Sequence, residues 1–144
     1  VKAATLEELL AEAGRGLLAK VVANPEAVRP VQSRTIELSA GGPAYLLLDW
    51  LSELLYVFES EKLLLCEFTI QLHERERETL VLEKRAEPNT HPTSMWSLFA
   101  TCRGEVMDPA RHTMDHEVKA ITYHGLEVQQ QDDGTWRAEV IVDI

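Results

Sequence analysis

Several features that are common in membrane and secreted proteins are absent from this sequence. No run of apolar residues approaches the roughly 20 that a membrane-spanning helix needs, and no basic segment followed by an apolar stretch marks a secretory signal. Only two of the 144 residues are cysteines, Cys66 and Cys102, too few for the disulfide framework of a small secreted domain. We therefore predict a cytoplasmic protein with two buried thiols, and a disulfide between them is the less favoured alternative.

Catalytic and nucleotide-binding signatures are equally scarce. The sequence has no P-loop, no G-x-G-x-x-G or G-x-S-x-G segment and no C-x-x-C pair, so an autonomous enzyme finds little support. Basic residues are also few, since 14 lysines and arginines stand against 24 acidic residues and give a net charge of −10. Nucleic-acid binding depends largely on basic side chains that neutralise phosphates. We therefore expect no direct contact with nucleic acid, and a basic protein partner or a metal cation fits better.

Apolar residues at helical spacing predict two helices. Thr5 and Glu8 form a capping-box pattern ahead of the first helix, which the Asn24-Pro25 pair ends. The second helix runs from Pro43 to about residue 58 and is apolar nearly all round. Such a helix is buried on most of its sides.

The remaining segments predict a sheet. Six of them have the alternation or composition of strands: 31–39, 64–72, 79–84, 96–106, 117–128 and 135–144. Residues 73–78 are predicted to form a charged turn, 87–92 a loop, and Asp132-Asp133-Gly134 a hairpin turn. We expect a single α+β domain over residues 1–144, with two helices packed on one face of a mostly antiparallel sheet of about six strands.

The last strand offers the most specific chemistry. Alternate residues from Trp136 to Ile144 are apolar, which predicts a half-buried strand. The sequence ends at Ile144, so we expect its α-carboxylate to lie beside the side-chain carboxylate of Asp143. Two fixed, hard oxygen donors suit a Ca²⁺- or Mg²⁺-type cation, although other groups must complete the six to eight ligands that calcium takes. An ordinary exposed aspartate is the alternative.

Three further residues are candidate partner contacts. Asp49 and Glu53 lie one turn apart on the polar stripe of the second helix, where like charges cost about 0.2–0.5 kcal/mol. A cation or partner site would explain them, and a plain solvent-facing stripe is the alternative. Lys119, on its strand, is either a contact for an anion or a partner, or an ordinary surface lysine.

A pair of histidines forms the last candidate site. His112 and His116 stand four residues apart, after Asp108, and on a helix that spacing could bind Zn²⁺ and support a hydrolase. The segment opens with Asp-Pro and lacks a helical apolar period, which favours loop histidines that bind no metal. His112 remains a candidate partner contact.

Four segments, in order along essentially the whole chain, together resemble the archease family. They are D-W-L-S-E-L-L-Y-V-F-E at 49–59, G-E-V-M-D-P-A-R-H at 104–112, E-V-K-A-I-T-Y-H at 117–124 and V-I-V-D-I at 140–144. The V-K-A-I-T-Y-H segment and the terminal D-I are the most specific parts of the resemblance.

The resemblance implies a small α+β protein that assists an RtcB-type RNA-splicing ligase and is not itself the ligase. That ligase joins RNA ends bearing a 2′,3′-cyclic phosphate or 3′-phosphate to 5′-hydroxyl ends, in tRNA splicing and RNA repair. It first loads a guanylate onto its own active-site histidine with a divalent metal, and archease promotes this loading and restores turnover. A chaperone-like module for an RNA-modifying enzyme such as a methyltransferase, without metal, is the alternative.

The resemblance also implies a metal site. The family's penultimate aspartate and terminal residue correspond to Asp143 and Ile144. Its N-terminal strand carries an H-T-A-D motif whose aspartate is a further ligand, and the match to this chain begins after that motif. Either the encoded protein begins before Val1 and carries the motif, or the motif is absent, which leaves the metal site incomplete and the sheet one strand short.

Overall fold

The computed structural model describes residues 1–76 and 94–144 of the chain. Within these ranges the elements are β1 (Lys2–Ala3), α1 (Leu6–Val21), β2 (Gln32–Ala40), α2 (Pro43–Glu61), β3 (Leu63–Glu76), β4 (Ser94–Val106), β5 (Ala120–Gln130) and β6 (Trp136–Asp143), with a 3₁₀ turn at Pro25–Ala27. The strand predicted at 79–84 and the loop predicted at 87–92 lie outside the described residues.

Helix α1 begins where the capping pattern predicted. The Oγ1 atom of Thr5 accepts a hydrogen bond from the Glu8 backbone N–H at 3.1 Å, which satisfies one of the amide groups that a helix start leaves unpaired. One face of the helix is buried through Leu6, Leu9, Leu10, Ala13, Leu17, Leu18 and Val21.

Helix α2 lies at the centre of the core. Gly42 precedes it at a φ of 133°, a conformation open mainly to glycine, and Pro43 is its first residue. Trp50 is fully buried, donates its Nε1–H to the Leu10 carbonyl of α1 at 2.8 Å, and meets the Phe68 ring of β3 edge-on at 5.6 Å. The indole therefore connects both helices to the sheet that contains β3.

In the described ranges, two helices and six antiparallel strands make the α+β fold that the sequence predicted, but the strands form two sheets of three instead of the single sheet that was expected. One sheet has the order β2-β4-β3 and the other β1-β6-β5. Helix α1 packs against β3 and also against β1 and β6, while α2 packs against β5 and also against β2, β3 and β4. The apolar surface nearly all round α2 follows from this position, because a helix that contacts two sheets needs more than one apolar side.

Strand β3 extends further than the sequence predicted. Residues 73–76, expected in a charged turn, continue β3 and pair with residues 94–97 of β4. The side chains of His73, Glu74 and Arg75 are all exposed. Charged residues are therefore accommodated on both faces of this part of the strand, and the predicted turn is wrong for residues 73–76.

Gly104 allows β3 and β4 to approach each other closely. A Cβ atom at this position would lie 1.8 Å from the Leu64 carbonyl oxygen of β3. The pairing register also shifts between Leu65 and Glu67, which leaves Cys66 as an extra residue in β3. The two strands therefore pair around a β-bulge that any side chain at Gly104 would disrupt.

Candidate functional site

The end of β6 presents the carboxylate that the sequence singled out. Asp143 is exposed, and the inward residues of β6 from Trp136 to Val142 are buried or half-buried, as the alternation predicted. Ile144, the last member of the same apolar series, is exposed. Asp143 is paired with Ala120 of β5. The Lys119 backbone N–H donates to the Asp143 carbonyl oxygen at 2.7 Å. The fold thus brings together Lys119, Asp143 and Ile144, three of the predicted site residues.

The main chain, rather than an ion pair, joins Lys119 to Asp143. Residues directly opposite each other in an antiparallel pair point to the same face, so Asp143 shares a face with Ala120, and Val142 shares the other with Ile121. Within the described ranges, no ion pair joins the Lys119 ammonium to the Asp143 carboxylate. Both residues are exposed, so an external partner can reach them.

The donors at this strand end suit a hard divalent cation in type but not in number. The Asp143 carboxylate is an oxygen donor of the kind that calcium and magnesium prefer. Among residues 1–76 and 94–144, however, no group of three or more His, Cys, Asp or Glu side chains could hold a metal ion. A cation bound at Asp143 must take most of its ligands from elsewhere.

Sequence reasoning missed a buried ionic network that begins at Glu105. This carboxylate is only 9% exposed. Its Oε1 atom accepts the Arg29 backbone N–H at 3.0 Å and lies 2.8 Å from the Nε2 atom of His112, and its Oε2 atom lies 2.5 Å from the Arg111 guanidinium. The negative charge is thus paired and hydrogen-bonded on both oxygens, as a buried charge requires.

These contacts also fix the protonation of the network. The Nδ1 atom of His112 accepts the Asp108 backbone N–H at 2.8 Å, so the hydrogen-bond pattern assigns the ring proton to Nε2, which donates it to Glu105. The hydrogen bond from Arg111, aided by those from Arg29 and His112, lowers the pKa of Glu105 to about 2 against the opposing effect of burial. The same ion pair raises the pKa of Arg111.

The network changes the interpretation of the histidine pair. The His112 side chain is fully buried and both of its ring nitrogens are hydrogen-bonded. It therefore has no nitrogen left for Zn²⁺ and no surface for a partner, and the prediction of a partner contact at His112 is wrong in this conformation. His116 is exposed and lies beside Asp115 at 3.4 Å, so the two histidines do not converge.

The 107–119 loop, which joins β4 to β5, is attached to the end of α1. The Asn24 side chain donates to the Arg111 carbonyl at 3.0 Å and accepts from the Thr113 N–H at 2.8 Å. The backbone amides of Asp115 and His116 donate to the carbonyl oxygens of the last two residues of α1, each at 2.9 Å. Side-chain and main-chain hydrogen bonds therefore fix the conformation of the loop between β4 and β5.

The second predicted pair lies on α2, far in sequence from the end of β6. Asp49 is exposed and Glu53 half-buried, on the stripe that also presents Tyr45 and Tyr56. The Tyr45 ring stacks on Tyr123 of β5, with centroids 5.7 Å apart and the planes inclined by 18°. The stripe on α2 therefore meets β5 at this aromatic pair.

The two cysteines are free thiols, in agreement with the preferred prediction. Cys102 is fully buried, and burial raises its pKa to about 12. Cys66 is half-buried, and burial together with the nearby Glu67 carboxylate raises its pKa as well. Neither thiol carries the low pKa of a reactive cysteine.

The fold and the site define a small acidic α+β domain that presents a carboxylate at a strand end and holds a buried ionic network. The model of the Archease protein family (MTH1598/TM1083) matches residues 1–144, and the chain belongs to that family. No helix in the described ranges is long and apolar enough to cross a membrane.

Similar proteins agree with this assignment. Protein archease of Methanopyrus kandleri is 34% identical over 144 residues, which are 100% of this chain and 89% of that protein. Protein archease of Methanosarcina acetivorans is 32% identical over 97% of this chain and 84% of its own length. The solution structure of Methanobacterium thermoautotrophicum protein 1598 covers 100% of this chain and 89% of its own, with a TM-score of 0.70 at 22% identity.

A second solved structure is similar in fold. The crystal structure of an archease from Thermotoga maritima, described as a possible chaperone, covers 100% of this chain and 87% of its own. Its TM-score is 0.56 at 16% identity. At such identities the two structures support the fold alone.

Proposed function

We propose that this chain is a non-enzymatic activator of an RtcB-type RNA-splicing ligase that promotes guanylylation and turnover of the ligase. The observation that carries the proposal is the pairing of β5 with β6, in which the Lys119 amide binds the Asp143 carbonyl at 2.7 Å and leaves an exposed carboxylate at the strand end. Membership of the archease family supports the same function.

The electrostatics of the chain suit a protein partner that itself handles RNA. A net charge of −10 favours a basic surface and disfavours direct binding to phosphates. A ligase that binds RNA must present basic groups near its active site, and the acidic domain can dock there without competing for the RNA as a ligand. We therefore propose the ligase as the partner, with no nucleic acid or membrane bound directly by this chain, in the cytoplasm.

Asp143 and the Ile144 carboxylate are the proposed ligands of a divalent cation of the calcium or magnesium type. Such a cation supplies positive charge next to phosphate oxygens. Asp143 contributes an exposed carboxylate, and Lys119, the last residue of the loop before β5, a positive charge. The remaining ligands come from outside the described residues, either from the rest of this protein or from the ligase.

The decisive experiment measures guanylylation of a purified RtcB-type ligase with and without this protein. We expect Asp143→Ala to abolish the stimulation and leave the melting temperature unchanged, because the side chain is exposed. Glu139→Ala is the matched control, since Glu139 is an exposed carboxylate on the same face of β6 whose described ion-pair partner is Arg137. Full stimulation by Asp143→Ala, or equal loss in both variants, would contradict the proposal.

The role of Ile144 has its own test. A short C-terminal extension converts the α-carboxylate of Ile144 into an amide and removes one proposed oxygen ligand. We expect the extended protein to lose stimulation across a series of divalent metals, while an extension at the N-terminus serves as the control for added length. Equal activity of the extended and unextended proteins would exclude the terminal carboxylate as a ligand.

A chaperone-like binding module is the second candidate function. The observation in its favour is that the Thermotoga maritima archease of similar fold is described as a possible chaperone. In that case the partner would be an RNA-modifying enzyme such as a methyltransferase, and binding would need no metal. Affinity measurements with a purified ligase and a purified methyltransferase, each with and without EDTA, separate the two functions.

A further inference from the structure

An exposed aromatic pair joins α2 to β5 and does not include the residues at the end of β6. The side chains of Tyr45 and Tyr123 are 49% and 59% exposed. Their rings are stacked and their hydroxyl oxygens lie 3.2 Å apart. This hydrogen bond raises the pKa of Tyr123. Two large side chains that hold each other in place form a surface that loses little further freedom when a partner binds.

The next turn of α2 adds negative charge to this surface. Asp49 follows Tyr45 by four residues, so it lies on the same face of the helix, roughly 6 Å further along the axis. Glu53 follows Asp49 at the same spacing. Within the described ranges, no ion pair includes either carboxylate. The like charges repel each other slightly, and no described cation compensates for them.

We propose that Tyr45, Tyr123 and Asp49 form a docking surface for an arginine-bearing segment of the partner ligase, with Glu53 at its edge. The identity of the partner rests on the proposed function, whereas the arginine chemistry rests on the surface itself. A guanidinium group stacks on an aromatic face and binds a carboxylate through two parallel hydrogen bonds. A lysine ammonium offers neither the planar stack nor the paired geometry.

Charge complementarity favours a protein segment over RNA at this surface. Nucleobases can stack on tyrosine rings, but their phosphates would lie close to Asp49 and Glu53 in a chain whose net charge is already −10. An arginine-bearing segment meets the same rings and gains from both carboxylates. RNA binding is therefore an outcome that the test must be able to detect.

The first part of the test measures affinity for a purified RtcB-type ligase. We expect Tyr45→Ala and Tyr123→Ala each to weaken binding about tenfold, the size of a cation–π contact that is removed from water. Tyr45→Phe, which keeps the ring, should bind within about twofold of the original protein. Phe99→Ala is the matched control, because Phe99 is an exposed aromatic residue, 41% accessible, on the sheet that β5 does not belong to. Unchanged affinity in both tyrosine variants would overturn the proposal.

The second part uses simple probes and does not depend on the ligase. An alternating arginine–glycine peptide should shift the NMR signals of Tyr45 and Tyr123, and bind several-fold more tightly than its lysine counterpart. Asp49→Asn should reduce that preference, and melting temperatures should confirm that all the variants are folded. The proposed surface would be refuted if Tyr45→Ala did not weaken binding of the arginine–glycine peptide. It would also be refuted if the protein bound single-stranded RNA and Tyr45→Ala weakened that binding. If the ligase fails to bind but the peptide binds as expected, the proposed function fails and this surface stands.

Discussion

Replacing Glu105 with glutamine tests the buried network most directly. The substitution keeps the shape of the side chain but removes its charge and turns one oxygen into an N–H₂ group. One carbonyl oxygen can still accept from Arg29 and His112. The new amide then faces the Arg111 guanidinium, at the place where an oxygen now lies 2.5 Å from a donor. Two donors would meet, so this hydrogen bond is lost and the others weaken.

The size of the effect follows from the number and type of these contacts. Hydrogen bonds to charged groups contribute about 1.5–3 kcal/mol each. The Arg111 side chain is 30% exposed and also lies near Asp108. Water and the Asp108 carboxylate therefore partly replace its lost hydrogen bond to Glu105, so the loss of stability lies at the lower end of this range. We therefore expect the melting temperature of Glu105→Gln to fall by about 5 °C for a domain of this length.

The pH dependence identifies the carboxylate as the cause. Because the pKa of Glu105 falls from 4.5 to about 2 on folding, its contribution to stability is complete above about pH 4.5 and disappears as the pH drops towards 2. The difference in melting temperature between the original protein and Glu105→Gln should therefore be largest at pH 7 and shrink in acid. Scanning calorimetry from pH 2.5 to 7 measures it, with the exposed Glu67→Gln on β3 as the control. A difference that stays constant with pH would refute the reasoning.

Three further substitutions or treatments test other parts of the fold. Gly104→Ala should prevent folding or lower the melting temperature by more than 10 °C, because its Cβ would lie 1.8 Å from the Leu64 carbonyl oxygen, an overlap that costs more than roughly 3 kcal/mol; circular dichroism measures the change. Thr5→Ala removes the N-cap of α1 and should cost about 1 kcal/mol in urea unfolding. A thiol reagent at pH 7 should label Cys66 slowly and Cys102 only after unfolding, because burial raises the pKa of Cys102 to about 12; labelling of both at equal rates would contradict the structure.

The helices and most strands could be predicted because their signals are local. Thr5 and Glu8 define the start of α1 within four residues, and the alternation from Trp136 onwards defines β6. The division into two sheets could not be predicted in this way, since a strand pattern shows which residues face a core but not which strands share hydrogen bonds. Residues 73–76 were assigned to a turn because they are charged, although a strand whose two faces both meet water accepts charge freely.

The same distinction between local and long-range signals applies to the candidate site. The candidates Asp143 and Ile144 could be placed together from the sequence because they are adjacent in it, whereas Lys119 was a separate candidate near the start of the strand predicted at 117–128. The Glu105 network joins four separate positions and depends on how the 107–119 loop folds back. By strand alternation Glu105 falls on the outward side of β4 with Phe99 and Arg103, so the strand pattern alone does not mark it as buried. A buried glutamate there requires a cation nearby, and Arg111 and His112 both follow within seven residues.

The network and the strand end are parts of one arrangement, and two variants can separate them. Glu105 holds His112 and Arg111 in the 107–119 loop, and that loop ends in the amide of Lys119 that binds Asp143. Loss of the network should therefore lower the stability of the protein and make the 107–119 loop more mobile next to Asp143. Loss of the exposed Asp143 carboxylate should leave stability intact and act on the ligase alone. If Glu105→Gln still stimulates the ligase fully at temperatures well below its melting temperature, the hydrogen bonds between the loop and α1 suffice to position Lys119. Asn24→Ala, which removes two of those hydrogen bonds, should then impair stimulation of the ligase.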